Sequence, residues 1–599
     1  MSTEIPRPEE ILRQVFGYAE FRPLQGEIVH AVTAGEDRLA IMPTGAGKSL
    51  CYQIPAMARA GTGLVISPLV ALMQDQVRAL TEAGVNAAAL TAASTDDERM
   101  RAWHGLDDGS LDLLYVAPER ATMPVFQERL ANARLSLIAI DEAHCVSEWG
   151  HDFRPDYRQL RPLADRFPGV PRIGLTATAD AVTQADIAQQ LGIAPDKVVV
   201  SGFDRPNIRY HVEQGRSRQA QLLRWLDARR GRAGIVYAPT RRKVEQLAGA
   251  LQASGLNALP YHAGLDPQTR SGNQDAFVRA DDMIMVATVA FGMGIDKPDV
   301  RFVAHMALPK SIEAYYQETG RAGRDGAPAE AIMWWGAADI ARARSQIDEN
   351  GEAGDRSRVD HQKLSALAAY ASSAKCRRIA LLGYFGEART EACGNCDNCL
   401  DPPSVVDVSD DAIKLLSAVY RTGQRYGLGY LADVLAGNAT DRALQNGHDR
   451  LGVFGLTADK SMMDWRPVQQ QLAAEDALVA DPQHGGLSLG PNARAILRGE
   501  RTVEIVPPPP PRRQRRRGAA DVSSTDDPLF QHLRALRKTL AEENSVPAYV
   551  IFHDATLAEM AAAKPASDEE LARIGGVGSA KRDRYGAAFL AAIAEFTSG

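Results

Sequence analysis

The segment Met42-Pro43-Thr44-Gly45-Ala46-Gly47-Lys48-Ser49 follows a strand-like run and precedes a helical pattern. Backbone N–H groups of Thr44, Gly45, Ala46 and Gly47 can wrap a phosphate, Lys48 brings charge to the β- and γ-phosphates, and the Ser49 hydroxyl can ligate Mg2+. The spacing departs from G-x-x-x-x-G-K-[ST] at Met42, which stands in place of the first glycine. Downstream, Asp141 and Glu142 close the apolar run LIAID. There Asp141 can hold Mg2+ through water while Glu142 polarises an attacking water. Further on, YYQETGRAGRDG (Tyr315–Gly326) supplies Gln317, Arg321 and Arg324. Their spacing predicts two guanidinium groups near one helix face, and the planar fork of Arg binds phosphate oxygens bidentately. The chemistry these residues spell out is nucleoside triphosphate hydrolysis.

A second constellation is Cys376, Cys393, Cys396 and Cys399, spaced C-x16-C-x2-C-x2-C. Four thiolates suit tetrahedral Zn2+, with an iron–sulfur cluster as the rival occupant. Cys51 and Cys145 read as small buried packers. A third feature is CVSEWGHDFRPDY (Cys145–Tyr157), which crowds Trp149, His151, Phe153, Arg154 and Tyr157 into the stretch after Glu142. Aromatics four apart could form one stripe of a core helix, but Gly150 and Pro155 interrupt it. The alternative is that Trp149, Phe153 and Arg154 meet a single-stranded nucleic acid by stacking and charge, which the family resemblance given below implies is DNA.

These groups need rigid elements behind them. RLAIMP, GLVISP, LDLLYVAP, LIAIDE and RIGLTAT, then GIVYAPT, MIMVAT and VRFVAH, are short Val/Ile/Leu-rich runs ending in small or polar residues. Such runs predict buried parallel strands of α/β units. Two parallel-sheet domains are expected, residues 1–205 and 206–340, with ATP in the cleft between them. A helical, cysteine-bearing subdomain follows at 341–404, a helix-dominated domain at 405–505, a Pro/Arg-rich linker at 506–525 and a last helical domain at 526–599. The linker reads as stiff and basic, since PPPPPRRQRRR resists compaction.

Composition narrows the class. The chain has 599 residues, 45% hydrophobic and 24% charged, enough for about three to five domains with cores of their own. A net charge of −7 gives no global polyanion-binding sign, so any nucleic-acid surface must be local. The N-terminus MSTEIPRPEE lacks a basic-then-apolar leader, and no apolar run reaches the roughly 18 residues of a membrane span. A cytosolic protein that avoids membranes is expected, and in a reducing compartment clustered cysteines favour metal over disulfides.

The order FGYAEFRPLQ, MPTGAGKS, VISPLVALMQDQ, YVAPER, DEAH, GLTATA, VYAPTR, YHAGL, VATVAFGMGIDKPDVR and QETGRAGRDG resembles superfamily 2 helicases. FRPLQ, SEWGHDFRPDY and GMGIDKPDVR are similar to the RecQ family of DNA helicases over nearly the whole chain. The resemblance implies two RecA-like domains, zinc at the four cysteines, a winged helix at 405–505 and a helical HRDC domain at the C-terminus. It implies that Tyr18 and Arg22 sandwich adenine while Gln25 reads its edge, and that Arg324 is an arginine finger with Arg321 beside it. It further ties Thr176 and Thr178 to coupling, and His262, Thr288 and Asp296 to nucleic acid and coupling. In the winged helix, ALVADPQHGGLSLG reads as a short wing with His484 at its tip. In the last domain, GGVGSAKRDRYG sets backbone N–H groups beside Lys581, and Tyr549 offers a ring for a base, a DNA-contacting surface in prospect.

The expected activity is ATP-dependent 3′-to-5′ DNA unwinding with Mg2+ and Zn2+, acting on single-stranded and duplex or branched DNA in recombination and repair. The implied setting is a bacterial monomer in the cytosol, with single-strand-binding protein among its partners. An RNA helicase and an ATP-gated DNA scaffold are the competing readings. Superfamily 2 motifs do not choose the sugar, but the zinc, wing and HRDC features argue for DNA, and the filled catalytic positions argue against a scaffold.

Overall fold

The structure is a computed structural model describing residues 6–91, 94–147, 154–214, 217–289, 291, 297–349, 355–481, 486–506, 527–544 and 546–598. The first domain is built on seven strands: β1 (Arg38–Ile41), β2 (Thr62–Ile66), β3 (Ala87–Leu90), β4 (Leu113–Val116), β5 (Leu135–Ile140), β6 (Arg172–Thr176) and β7 (Val198–Val200). They pair in the order β3-β4-β2-β5-β6-β1-β7, parallel throughout. Every residue of β2, β4 and β5 is buried, as strands covered by helices on both faces must be. Each fully buried Val, Leu or Ile contributes about 1.5–3 kcal/mol, so these runs anchor the sheet.

Six more strands form the second domain: β8 (Ile208–Gln214), β9 (Gly234–Tyr237), β10 (Ala258–Tyr261), β11 (Ile284–Ala287), β12 (Phe302–His305) and β13 (Ala329–Trp335). Their order is β10-β11-β9-β12-β13-β8, again parallel. β13 ends in the buried pair Trp334 and Trp335. Residues 201–207 connect the two sheets.

Helices Ala337–Glu349, Asp355–Ser372 and Arg377–Tyr384 lead into the cysteine-bearing loop. The helix Arg377–Tyr384 starts directly at its N-cap, Cys376. A separate core around Leu415, Leu431, Trp465, Leu472 and Leu478 joins helices Ser409–Arg421, Leu428–Ala436 and Met462–Ala474 to an antiparallel hairpin, Leu478–Ala480 with Leu487–Leu489. This is the short wing expected from the sequence. His484, at its turn, lies outside the described residues.

The C-terminal helices Pro528–Glu543, Asp554–Ala563 and Ser579–Ser598 close over a core of Leu533, Phe552, Leu557, Met560 and Phe589. This domain is docked on the rest. The Gly576 N–H donates to the Gly17 carbonyl (3.0 Å) and Ser579 Oγ to that of Gln14 (3.0 Å). Arg584 and the Tyr585 hydroxyl converge on Glu82 (2.8 and 3.1 Å), and Arg534 pairs with Asp281 of the second domain (3.2 Å). Gly578 permits the approach, because a Cβ there would lie 2.3 Å from the Val15 carbonyl oxygen.

Candidate active site and metal centre

Parallel sheets offer ligand sites at the carboxyl ends of their strands, and the first domain gathers its candidate residues there. Past β1 the chain turns through Gly45 (φ +84°) and Gly47 (φ +79°) into the helix Leu50–Met57. These positive angles favour glycine and lead the loop into a helix N-terminus, a place where backbone N–H groups favour a phosphate. Lys48 Nζ donates to the carbonyls of Met42 (3.1 Å) and Pro43 (3.4 Å). Burial holds its ammonium below the usual lysine range, opposed by the charges of Glu142 and Asp141.

Asp141 follows β5. Burial pushes its carboxyl up to about 7, with the charge of Glu142 adding to the effect. Its Oδ1 accepts from the Glu142 N–H (3.0 Å), and the Tyr157 hydroxyl donates to its carbonyl (3.0 Å). Glu142 itself takes a left-handed backbone, φ +48°, a conformation that costs a non-glycine residue of order 1 kcal/mol and points to imposed geometry. His144, buried and lowered to about 3 by that burial, is a neutral imidazole bonded to Thr176 Oγ1 (2.9 Å) and 3.3 Å from Glu142. The carboxylate pair Asp141–Glu142 is thereby linked to the GLTATA segment through His144.

The facing wall comes from the second domain. Gln317 Nε2 donates to Thr178 Oγ1 across the cleft (3.3 Å). Arg321 and Arg324 do not share a helix face as their spacing predicts. The helix Ile312–Thr319 stops first, because Gly320 caps it and Gly323 takes φ +58°, so both arginines sit on a turn. The turn still delivers them to the same cleft of about 560 Å³, lined also by Tyr18, Arg22, Gln25, Thr44, Gly45, Gly47, Lys48, Ser49, Asp141, Glu142 and Gln317.

Tyr18 and Arg22 stand at the mouth. Gln25 is already occupied by the phosphate loop: its Nε2 donates to the carbonyls of Ala46 (2.9 Å) and Gly47 (3.0 Å), and its Oε1 accepts from the Arg22 N–H (2.9 Å). Tyr549 and Lys581, expected on a DNA-contacting surface, line this same cleft. Burial lowers Lys581 to about 8, with Glu82 opposing. Trp149, His151, Phe153 and Asp296 lie outside the described residues. Arg154 is described, with its N–H on the Cys145 carbonyl (2.9 Å) and Nη1 on that of Pro68 (3.4 Å). Tyr157 is a core residue. His262 is buried with Nε2 3.2 Å from Glu245, and the Thr288 N–H donates to Tyr261.

At the cysteine cluster the four sulfurs lie within 4.8 Å of one another, and Cys393 and Cys399 are 3.8 Å apart. Zn–S bonds of about 2.3 Å in a tetrahedron require sulfurs about 3.8 Å apart, so the donor set fits. Backbone N–H groups of Arg377 and Cys393 point at the sulfurs of Cys396 and Cys376 (3.4 Å each), as thiolate ligands need. With all four positions taken by protein, the site is structural.

Sequence reasoning passed over Arg205. Its guanidinium is buried between the domains and donates to the carbonyls of Thr44 (2.5 Å), Gly320 (3.0 Å), Ala322 (2.9 Å) and Gly323 (3.0 Å). Its partners are backbone atoms, which leave no residue-type pattern to read.

Two parallel-sheet domains closing on a phosphate loop, an acidic pair and arginines from the far side define a two-domain, helicase-type P-loop NTPase. Family comparisons agree segment by segment: DEAD/DEAH box helicase at 22–187, helicase conserved C-terminal domain at 217–326, RecQ zinc-binding at 337–400, RQC domain at 402–514 and HRDC domain at 526–593. The chain is 43% identical over 597 residues to the ATP-dependent DNA helicase RecQ of Haemophilus influenzae, covering 99% of this chain and 96% of that one. It is 39% identical over 590 residues to that of Bacillus subtilis, covering 98% of each. The protein belongs to the RecQ family.

Proposed function

We infer that this protein is an ATP-dependent DNA helicase that moves 3′ to 5′ on single-stranded DNA and unwinds duplex or branched DNA in recombination and repair. The observation that carries the reading is the shared cleft: Lys48, Asp141 and Glu142 from one domain face Gln317, Arg321 and Arg324 from the other. Full-length likeness to proteins named as DNA helicases supports the choice of DNA, and the polarity rests on the family resemblance.

Within the cleft, phosphate-loop N–H groups and Lys48 hold the triphosphate, and Glu142, fixed by its left-handed backbone, orients the attacking water. Arg321 and Arg324 stabilise charge developing on the γ-phosphate, and their arrival from the second domain makes hydrolysis depend on closure. Ser49 and Asp141 are the residues that would hold Mg2+. A buried Asp141 lifted to about 7 beside Glu142 is a donor set that a divalent cation relieves. Bound there, Mg2+ neutralises β- and γ-phosphate charge. Trp149, Phe153 and Arg154, next to Glu142 in sequence, are assigned to sensing single-stranded DNA, and His484 to the strand junction. Family resemblance also supports a monomer that meets single-strand-binding protein in the bacterial cytosol, and no described helix is long and apolar enough to cross a membrane.

The test is strand displacement on DNA and RNA duplexes with 3′ or 5′ tails, comparing wild type with Lys48→Ala and Glu142→Gln. Unwinding of 3′-tailed DNA that both substitutions abolish is expected. Unwinding of RNA alone, or undiminished activity in the variants, overturns the reading.

A further inference from the structure

We propose that Arg205 is a positioning residue for ATP hydrolysis: its guanidinium fork latches the Thr44 carbonyl of the phosphate loop to the turn that carries Arg321 and Arg324. Three of its four acceptors, the carbonyls of Gly320, Ala322 and Gly323, belong to that turn. The fourth, Thr44, belongs to the opposite domain. The contact point is tight. A Cβ on Gly45 would meet the Arg324 Cα at 3.4 Å and the Arg205 Cζ at 3.6 Å, so phosphate loop, latch and arginine turn converge on one glycine.

Arg205 is carried by the second domain and the zinc subdomain. Asn207 Nδ2 donates to the carbonyls of Gly323 (2.8 Å) and Ala327 (2.9 Å), fastening the connecting segment to the same turn. Arg378, two residues past Cys376, donates to the carbonyls of Arg205 (2.9 Å) and Ile208 (2.8 Å) and pairs with Asp204 (2.7 Å). Arg389 also pairs with Asp204 (2.8 Å), Glu387 accepts from the Phe203 N–H (2.6 Å), and Phe203 stacks on Phe385 at 4.6 Å. The bonds to the arginine turn are therefore permanent fixtures of one body. The Thr44 bond is the conditional one, made when the cleft is shut and broken when it opens. Arg205 turns closure into correct placement of Arg324, and the zinc subdomain supplies the footing.

This proposal rests on ATP hydrolysis in this cleft, and the experiment separates the two. Full-length wild type, Arg205→Ala, Arg205→Lys, Arg324→Ala and the Arg205→Ala/Arg324→Ala double variant are compared for DNA-stimulated kcat, affinity for a fluorescent ATP analogue, zinc content and Tm. Absence of hydrolysis by wild type sinks the functional reading itself. With wild type active, Arg205→Ala is expected to lower kcat about 10²-fold, the cost of a misplaced catalytic group. Nucleotide affinity should change less than about 3-fold, since the latch acts on the transition state. Zinc content and Tm serve as the check on folding. Arg205→Lys keeps the charge without the fork and should recover only a small part of kcat. In the Arg324→Ala background, Arg205→Ala should cost much less than in wild type, because one of the two arginines it positions is gone. Wild-type kcat in Arg205→Ala, full recovery in Arg205→Lys, or losses that multiply in the double variant overturn the proposal. If Arg205→Ala loses zinc or stability, the lysine variant alone decides.

Discussion

The family resemblance assigns Gln25 to the adenine edge, and the structure shows it bonded to the phosphate loop. Its amide spans the carbonyls of Ala46 and Gly47, where φ +79° at Gly47 favours glycine and a Cβ would push Gln25 Nε2 aside at 2.4 Å. Gln25→Ala should therefore weaken ATP and GTP binding alike, by about tenfold, as expected for losing two hydrogen bonds to a loop. Fluorescent-nucleotide titration checks this: a loss confined to ATP would leave Gln25 as an adenine reader alone. Lys48, Asp141, Glu142 and the four cysteines were readable because their chemistry demands particular side chains at particular spacings. Arg205 was not, since carbonyl acceptors exist at every position. The strain at Glu142 was equally silent, because no residue type announces a positive φ.

Among the elements, the strands read from the sequence are the interior ones: β1, β2, β4, β5, β6, β9, β11 and β12. Those passed over include all four edges, β3 and β7 of the first sheet and β10 and β8 of the second. Edge strands are covered incompletely: β3 (AAAL) and β7 (VVV) are short apolar runs only partly buried, and β8 alternates buried and exposed residues. β13 is the exception, a buried strand hidden by its place just past the glycine-rich arginine turn. The zinc loop shows how a small element reaches far. Arg377, at the start of its helix, pairs with Asp397 (3.0 Å), whose other oxygen accepts from the Val212 N–H of β8 (2.9 Å). Cys396→Ala should release zinc, lower Tm by several degrees, and reduce ATPase activity through β8 and the connecting segment, since a structural metal contributes folding energy directly. A chromogenic zinc assay with calorimetry tests this, and unchanged Tm in a zinc-free variant would contradict it.

On the scale of the whole molecule, the C-terminal domain's position was not legible. GGVGSAKRDRYG looks outward-facing in sequence because docking between separate domains leaves no periodicity in either one. Its glycines fit against Val15 and Gly17, and its basic residues reach Glu82. Reversing that charge with Glu82→Arg should undock the domain and speed association of a fluorescent ATP analogue several-fold in stopped flow, with high salt acting in the same direction on wild type. An unchanged rate would mean that the docked domain does not restrict nucleotide entry. The carbonyl-only coordination of Arg205 carries a last consequence. Among the described residues no carboxylate lies within 4.0 Å of it, so carbonyl dipoles solvate its charge without cancelling it. Lys48, Arg321 and Arg324 line the same cleft as the carboxylates of Glu20, Asp141 and Glu142, while Glu318 is taken by His305 at 2.7 Å. Arg205 therefore adds an uncancelled positive charge beside the phosphate loop, where a triphosphate's negative charge would be favoured. On the proposed reading, the nucleotide's charge helps to draw the two halves together, and loss of the cleaved phosphate loosens them.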